Sequence, residues 1–282
     1  MEKHSVGIVG AGIMGYGIAT VCLQAGLNVI LYDKFENSLL NAQKNIENFF
    51  EKSVQKNKIS KEQKDAFLSK IQYIQDFASL KADWIIEAVP ENLELKKQLF
   101  QEIEIQNPDS ILASNTSTLP ITRIANGLKN PHNFIGLHFF NPAPLMKLVE
   151  IIPGEKTSYE VIQKTIQFVE FIQKKGILVK DSPGFIVNRV ARHYYLESLK
   201  ILEENITDFQ TIDEILANVG FKMGPFKLMD LIGVETNHSV TQSLYESYFY
   251  EPRFQPSLIQ QRKVDAGLFG RKTQEGFYKY DG

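Results

Sequence analysis

"GIVGAGIMGYGIA" (7–19) is the stretch on which the reading of the fold turns. The apolar run "SVGIVG" (5–10) leads into it as a short strand, and "IMGYGIATVCLQAG" (13–26) leaves it as a helix stopped by Gly26. Between them Gly10, Gly12 and Gly15 fall in the spacing GxGxxG. Alone that spacing is a weak signal, but between a strand and a helix it is a dinucleotide-binding fingerprint. Gly10 permits the tight turn. Gly12 lets backbone approach a pyrophosphate at the helix N-terminus, where unpaired N–H groups and the helix dipole favour an anion. Gly15 lets the helix pack close on the strand. The next strand, "NVILYD" (28–33), ends in Asp33, whose carboxylate can accept hydrogen bonds from an adenine ribose and would repel a 2′-phosphate. The expected cofactor is therefore NAD, with NADP disfavoured, although the adjacent Lys34 works against that discrimination. The bland alternative is a packing turn followed by a surface aspartate; the strand–turn–helix context weighs against it.

Outward from this motif the first half of the chain alternates strand-like and helix-like segments. A lysine-rich helix is expected over 36–58, and Ser60 with Gln63 forms a capping box for the next. "WIIEAVP" (84–90), "SILASNT" (110–116), "NFIGLHFF" (133–140), "KLVEII" (147–152) and "ILVK" (177–180) read as strands, with helices over 92–105 and 158–176 between some of them. Such alternation predicts an α/β fold with a mostly parallel sheet covered by helices. Near residue 181 the style changes. "DSPGFIVNRVARHYYLESLKILEEN" (181–205) carries cap residues and Pro183 at a first helical turn, and helix follows helix from there. Capping signals lie at Thr211 with Glu214, at Pro225 and at Pro256, and only "GFYKY" (276–280) suggests a further strand. The expected division is a Rossmann domain over 1–182 and a smaller all-α domain over 183–282.

Composition narrows the function. The chain has 282 residues, 43% of them hydrophobic and 23% charged, ordinary for a globular protein. A net charge of −2 gives no field toward nucleic acid or an anionic membrane. No apolar run is long enough to span a bilayer, and the apolar strand beginning at Ser5 leaves no room for a signal peptide. The single cysteine, Cys22, excludes an internal disulfide and reads as a small core residue. A cytoplasmic protein without a metal site is the expectation.

Candidate site residues follow from position on the sheet, since ligands of parallel sheets sit at the carboxyl ends of the strands. Glu87 and Glu91, after the strand at 84–90, are candidates to meet the cofactor, with Lys96 one helical turn on; each taken singly is also an ordinary solvated charge. In "SNTSTLPIT" (114–122), Asn115 and Ser117 are candidates for the nicotinamide end, against a reading as turn and cap residues. "GLHFFNPAPLMKLVEII" (136–152) sets His138 and Glu150 among apolar side chains, where ionisable groups are rare unless paired. On adjacent strands the carboxylate would fix the tautomer of the imidazole and stabilise its protonated form, making a general base with its orienter. Asn188, in "DSPGFIVNR", could donate to a substrate carbonyl, or simply bond another helix. Lys44, Lys52, Lys56 and Lys58 form a face that is either solvated or able to take the phosphates of a bulky anionic substrate.

Taken together, these motifs, with "GPFKLMDLIGVE" (224–235) and "GLFGRKTQEGFYKY" (267–280), resemble the L-3-hydroxyacyl-CoA dehydrogenase family, and most of all its short bacterial 3-hydroxybutyryl-CoA dehydrogenases. The resemblance covers essentially the whole chain. It implies NAD(H), an acyl-CoA substrate, a homodimer made through the helical domain, and a place in fatty acid or butanoate metabolism. By motif it implies His138 as catalytic base, Glu150 as its partner, Ser117 on the substrate oxygen and Asn188 supporting the site. It further implies Gly10, Gly12, Gly15, Asp33, Glu91 and Lys96 on the dinucleotide, and Lys56 on CoA. Thr118 departs from the family's usual second serine. The alternatives are a dehydrogenase of a hydroxy acid or sugar acid without CoA, and a catalytically silent nucleotide-binding relative.

Overall fold

Eight strands form one sheet: β1 (Ser5–Val9), β2 (Asn28–Tyr32), β3 (Ile71–Ile74), β4 (Trp84–Glu87), β5 (Ile111–Ser114), β6 (Phe134–Phe139), β7 (Leu148–Pro153) and β8 (Lys175–Leu178). This is the computed structural model of the protein, and it describes residues 5–280. The strand order is β3-β2-β1-β4-β5-β6-β7-β8, and every neighbouring pair is parallel except β6 with β7. Helices α1 (Ile13–Gln24), α2 (Glu36–Gln55), α3 (Lys61–Leu68), α4 (Leu93–Gln106), α5 (Ile121–Ala125) and α6 (Tyr159–Phe171) connect them. The chain divides into two compact units between Ser182 and Pro183. The α/β fold with its mostly parallel sheet and the helical C-terminal unit agree with the sequence.

Burial follows the residue pattern. The central strands β4, β5 and β6 are buried along their whole length, as strands covered on both faces must be. Helix α1 is apolar on nearly all sides, and Ile18, Ala19, Cys22 and Leu23 are fully buried in the main core with Val6, Ile8, Leu31 and Ile86. Burial pushes the Cys22 thiol up to about 12, so it stays a neutral core group at physiological pH. Trp84 on β4 stacks on Phe168 of α6 at 4.5 Å, tying a helix to the sheet face.

The second unit has its own core, with Tyr195, Leu199, Ile212, Phe226, Met229, Val234 and Phe277 buried together. Its helices are α7 (Val187–Glu203), α8 (Phe209–Asn218), α9 (Pro225–Ile232), α10 (Val234–Ser247) and α11 (Leu258–Asp265). Two buried aspartates organise its loops. Asp213 accepts from Phe226 N and Lys227 N at 2.8 and 2.9 Å, and Asp230 accepts from Phe277 N and Tyr278 N, both at 2.9 Å.

Local expectations fail in instructive places. Helix α7 starts at Val187 rather than at Pro183, because Gly184 and Phe185 both take positive φ and break the helical path. Helix α8 is capped by Asp208, whose carboxylate accepts from Thr211 N at 2.8 Å, so Thr211 lies inside the helix. Helix α2 ends at Gln55, followed by Asn57 with φ of 53°. The stretch 276–280 makes only an isolated bridge, Glu275 with Lys279. Strand β3 has no counterpart among the strands the sequence predicts. The Ser60–Gln63 capping box forms, with both reciprocal bonds present. Among the described residues no helix is long and apolar enough to cross a membrane, and no group of three or more His, Cys, Asp or Glu is placed to hold a metal ion.

Candidate active site

The register of the parallel strands draws the site residues along one edge of the sheet. Val9 lies opposite both Tyr32 and Glu87, Glu87 opposite Ser114, and Ser114 opposite Gly136. The turn at Gly10, the carboxylate of Asp33, the segment after Glu87, Asn115 to Ser117, and His138 therefore all leave the carboxyl ends of β1, β2, β4, β5 and β6. That is the ligand-binding edge of an open parallel sheet.

The three glycines of the first turn do different work. Gly10 has φ of +102°, and a Cβ there would lie 2.7 Å from the carbonyl oxygen of Ala88. A Cβ on Gly15 would lie 1.7 Å from the Gly10 oxygen, so α1 closes on β1 only because that position is bare. Gly12, the N-terminal flank of α1, has no atom within 4 Å of where its Cβ would be. It faces open space beside the helix's first N–H groups. A cavity of about 610 Å³ opens here, lined among others by Gly10, Gly12, Asp33, Phe35, Val89 and Leu99. Asp33 accepts from Ala11 N at 2.8 Å through Oδ2 and from Phe35 N at 2.9 Å through Oδ1. Each carboxylate oxygen has a second lone pair, so this bracing leaves capacity for ribose hydroxyls. A bare backbone turn at a helix N-terminus, an acidic acceptor at the end of β2 and an apolar cavity between them fit an NAD molecule.

At the other end of the edge, His138 and Glu150 meet. They are paired directly across the antiparallel β6–β7 ladder, and His138 Nδ1 lies 2.7 Å from Glu150 Oε2. Both are buried, at 5% and 1% exposure. An ionised carboxylate only accepts, so Nδ1 carries the hydrogen and the lone pair falls on Nε2. The Phe140 ring packs against the imidazole with centroids 4.4 Å apart. The "NPAP" segment between the two strands is accommodated as a turn containing a cis Asn141–Pro142 bond. Asn115, read from sequence as a nicotinamide contact, directs Oδ1 to the backbone N–H of Phe139 at 2.8 Å, pinning the residue next to His138.

Between these ends lies a buried polar network. Lys96 is 1% exposed and Glu87 is 0% exposed, and their Nζ and Oε1 are 2.5 Å apart. The Lys96 ammonium also lies 3.3 Å from Glu91 Oε2. Sequence counted Glu87 and Lys96 as cofactor contacts; the structure turns both inward, against one another. Burial pushes the Glu87 carboxyl up, opposed by the Lys96 ammonium and by hydrogen bonds from Lys96, Ser114 and Val89. Glu91 shows the reverse balance: burial works against its charge, but Lys96 and the donors of 116–118 outweigh burial and hold the carboxyl below its usual range. Ser114 and Thr116 belong to this network and are not site candidates in the sequence reading; Thr118, which the sequence marks only as a departure from the family's second serine, joins them. Only the pairing of β4 with β5 shows that Ser114 stands opposite Glu87.

Lys56 lies exposed at the C-terminal flank of α2, where a cation complements the helix dipole. Asn188 is in the first turn of α7, in the second unit, and is partly buried.

Comparison with known proteins points to the same fold and cofactor class. Residues 5–182 match the family model of the 3-hydroxyacyl-CoA dehydrogenase NAD binding domain, and residues 184–280 match that of the C-terminal domain. The chain is 41% identical to the 3-hydroxyadipyl-CoA dehydrogenase of Escherichia coli, over 99% of this chain and 60% of that protein. It therefore spans about three fifths of that relative's length. It is 39% identical to the mitochondrial hydroxyacyl-coenzyme A dehydrogenase of Sus scrofa, over 99% of this chain and 92% of the relative. Among solved structures, the (S)-3-hydroxybutyryl-CoA dehydrogenase of Ralstonia eutropha superposes with a TM-score of 0.94 at 35% identity, covering 99% of this chain and all of that one (100%). With both domain models matched in order over nearly its whole length, the chain belongs to the 3-hydroxyacyl-CoA dehydrogenase family.

Proposed function

We propose that the protein catalyses the NAD-dependent, reversible oxidation of (S)-3-hydroxyacyl-CoA thioesters to 3-ketoacyl-CoA, with 3-hydroxybutyryl-CoA as substrate. The observation that carries this reading is the buried imidazole–carboxylate pair at 2.7 Å on the same sheet edge as the dinucleotide turn. Family membership and the substrates named for the relatives support the thioester class.

Oxidising a secondary alcohol to a ketone removes a hydride from C3 and a proton from its hydroxyl. Bound NAD supplies the hydride acceptor at nicotinamide C4, and NADH the donor for the reverse direction. His138 Nε2 takes the hydroxyl proton in oxidation and returns it to the forming alkoxide in reduction. Glu150 holds the Nδ1 hydrogen and offsets the positive charge the ring gains. Ser117 hydrogen-bonds the substrate oxygen, and Asn188 has the supporting role that the family resemblance implies. Lys56 takes the CoA phosphates as an exposed cation. Gly10, Gly12, Gly15 and Asp33 hold the dinucleotide. The helical unit makes a homodimer, a reading that rests on the family resemblance.

The test is reduction of acetoacetyl-CoA followed by loss of NADH absorbance. His138→Ala is expected to lower turnover by about 10²–10⁴-fold while NADH still binds. Unchanged turnover would remove His138 from the mechanism.

A further inference from the structure

Glu87, a cofactor candidate by sequence, is a carboxylate with no exposed surface, and the proposed chemistry gives it no task. Its surroundings do. Oε2 accepts from Ser114 Oγ at 2.6 Å, and Oε1 accepts from Val89 N at 2.7 Å and from Lys96 Nζ at 2.5 Å. Lys96 Nζ donates to Val89 O at 3.3 Å and pairs with Glu91 Oε2 at 3.3 Å. The other Glu91 oxygen gathers the loop after β5. Oε1 accepts from Thr116 Oγ1 at 2.6 Å, Ser117 N at 2.9 Å, Thr118 N at 3.0 Å, Thr118 Oγ1 at 3.2 Å and Ser117 Oγ at 3.3 Å. An unbroken chain thus runs from a carboxylate buried at the end of β4, through an equally buried ammonium, to the loop that carries Ser117.

We propose that Glu87 is a positioning residue: by fixing the Lys96 ammonium it fixes Glu91, and so sets where the Ser117 hydroxyl stands. The physical basis is the number of ways Lys96 can turn. A four-carbon stem with one acceptor partner swings freely. Held between Glu87, Val89 O and Glu91, it offers Glu91 a fixed point charge, and one Glu91 oxygen then stays aimed at three successive residues of the loop. The Ser117 hydroxyl makes the longest of those five contacts, so it is the one most easily diverted to a ligand while the loop itself stays put. Misplacing a substrate contact by a fraction of an ångström costs rate rather than cofactor affinity.

This inference rests on the reading of Ser117 as a substrate contact, and a double-mutant cycle separates the two. Glu87→Gln keeps the shape and an acceptor but removes the charge that holds Lys96. It is expected to lower kcat for acetoacetyl-CoA reduction by about 10-fold, with NADH affinity by fluorescence within about 2-fold of wild type. In a Ser117→Ala background the same substitution is expected to cost less than about 2-fold. Ser114→Ala, which loosens Glu87 without touching its charge, guards against misfolding of the first variant and should give a smaller loss of about 3-fold, likewise absent beside Ser117→Ala. Losses that multiply, or a fall in NADH affinity that accounts for the rate, would overturn the positioning role. Wild-type turnover in Ser117→Ala alone would overturn the assignment of Ser117, and with it this inference.

Discussion

A carboxylate 2.7 Å from one imidazole nitrogen does two things at the other. It fixes which nitrogen carries the hydrogen, and it sets a negative charge beside the ring that receives the proton. Glu150→Gln preserves size and one acceptor but supplies no charge, and its amide can instead donate to Nδ1 and select the wrong tautomer. We expect it to lower kcat by about 10- to 100-fold, less than His138→Ala, with NADH binding unchanged in a fluorescence titration. Asp33 works at the opposite end. It braces the turn through Ala11 N and Phe35 N and presents a negative charge to the cavity. Asp33→Asn keeps acceptor capacity and removes the repulsion of a 2′-phosphate, with Lys34 next to it. The ratio of kcat/KM for NADPH over NADH should rise by about tenfold, or 1.4 kcal/mol. An unchanged ratio in parallel assays would mean that Asp33 does not face the ribose.

At the scale of elements, the β1–α1 turn separates what a glycine does for folding from what it does for binding. Gly15→Ala places a methyl 1.7 Å from the Gly10 oxygen, so α1 must lift off β1. Overpacking of this kind costs about 1–3 kcal/mol or more, and we expect a lower thermal midpoint together with lost NADH binding. Gly12→Ala meets no atom within 4 Å and sits in an extended conformation that alanine adopts, with φ of −67°. It should melt like wild type and still bind NADH at least tenfold more weakly, because the methyl fills the space a pyrophosphate needs. A drop in melting temperature for Gly12→Ala, measured by calorimetry, would put that glycine in the packing class with Gly15.

For the whole molecule the two units carry separate cores, and pH tests the second one. His238 on α10 is 4% exposed, and its Nε2 has no hydrogen-bond partner among the described residues. Burial pushes its pKa below 6.5, with Asp265 opposing. The folded form therefore binds its proton less readily than the unfolded chain, whose histidine titrates near 6.5. Stability is full above pH 6.5 and is lost as the pH falls toward the folded value. Chemical denaturation of the full chain between pH 7.5 and 5 should show a declining midpoint for the helical unit, and His238→Gln should flatten that decline. A decline of equal steepness in the variant would assign it to other groups.

The sequence by itself determined the dinucleotide turn, the alternation that makes a parallel sheet, and the identity of the ionisable pair. Each rests on local spacing: glycines where a helix must begin bare, apolar runs of strand length, an imidazole and a carboxylate too apolar in their surroundings to be unpaired. Tertiary structure alone decided which partners those residues take. Strand β3 is four residues, three half-buried and Gln72 exposed, stabilised by pairing with β2, so its sequence carries little mark of it. Lys96 reads as a solvated lysine, and becomes an internal cation because β4 brings Glu87 to its ammonium while Ser114 of β5 braces that carboxylate. Asn115 reads as a ligand contact, and its oxygen is taken by the strand that carries His138. Patterns along a chain specify which face a residue occupies; hydrogen bonds across strands distant in sequence depend on register, and register is fixed only when the whole sheet closes.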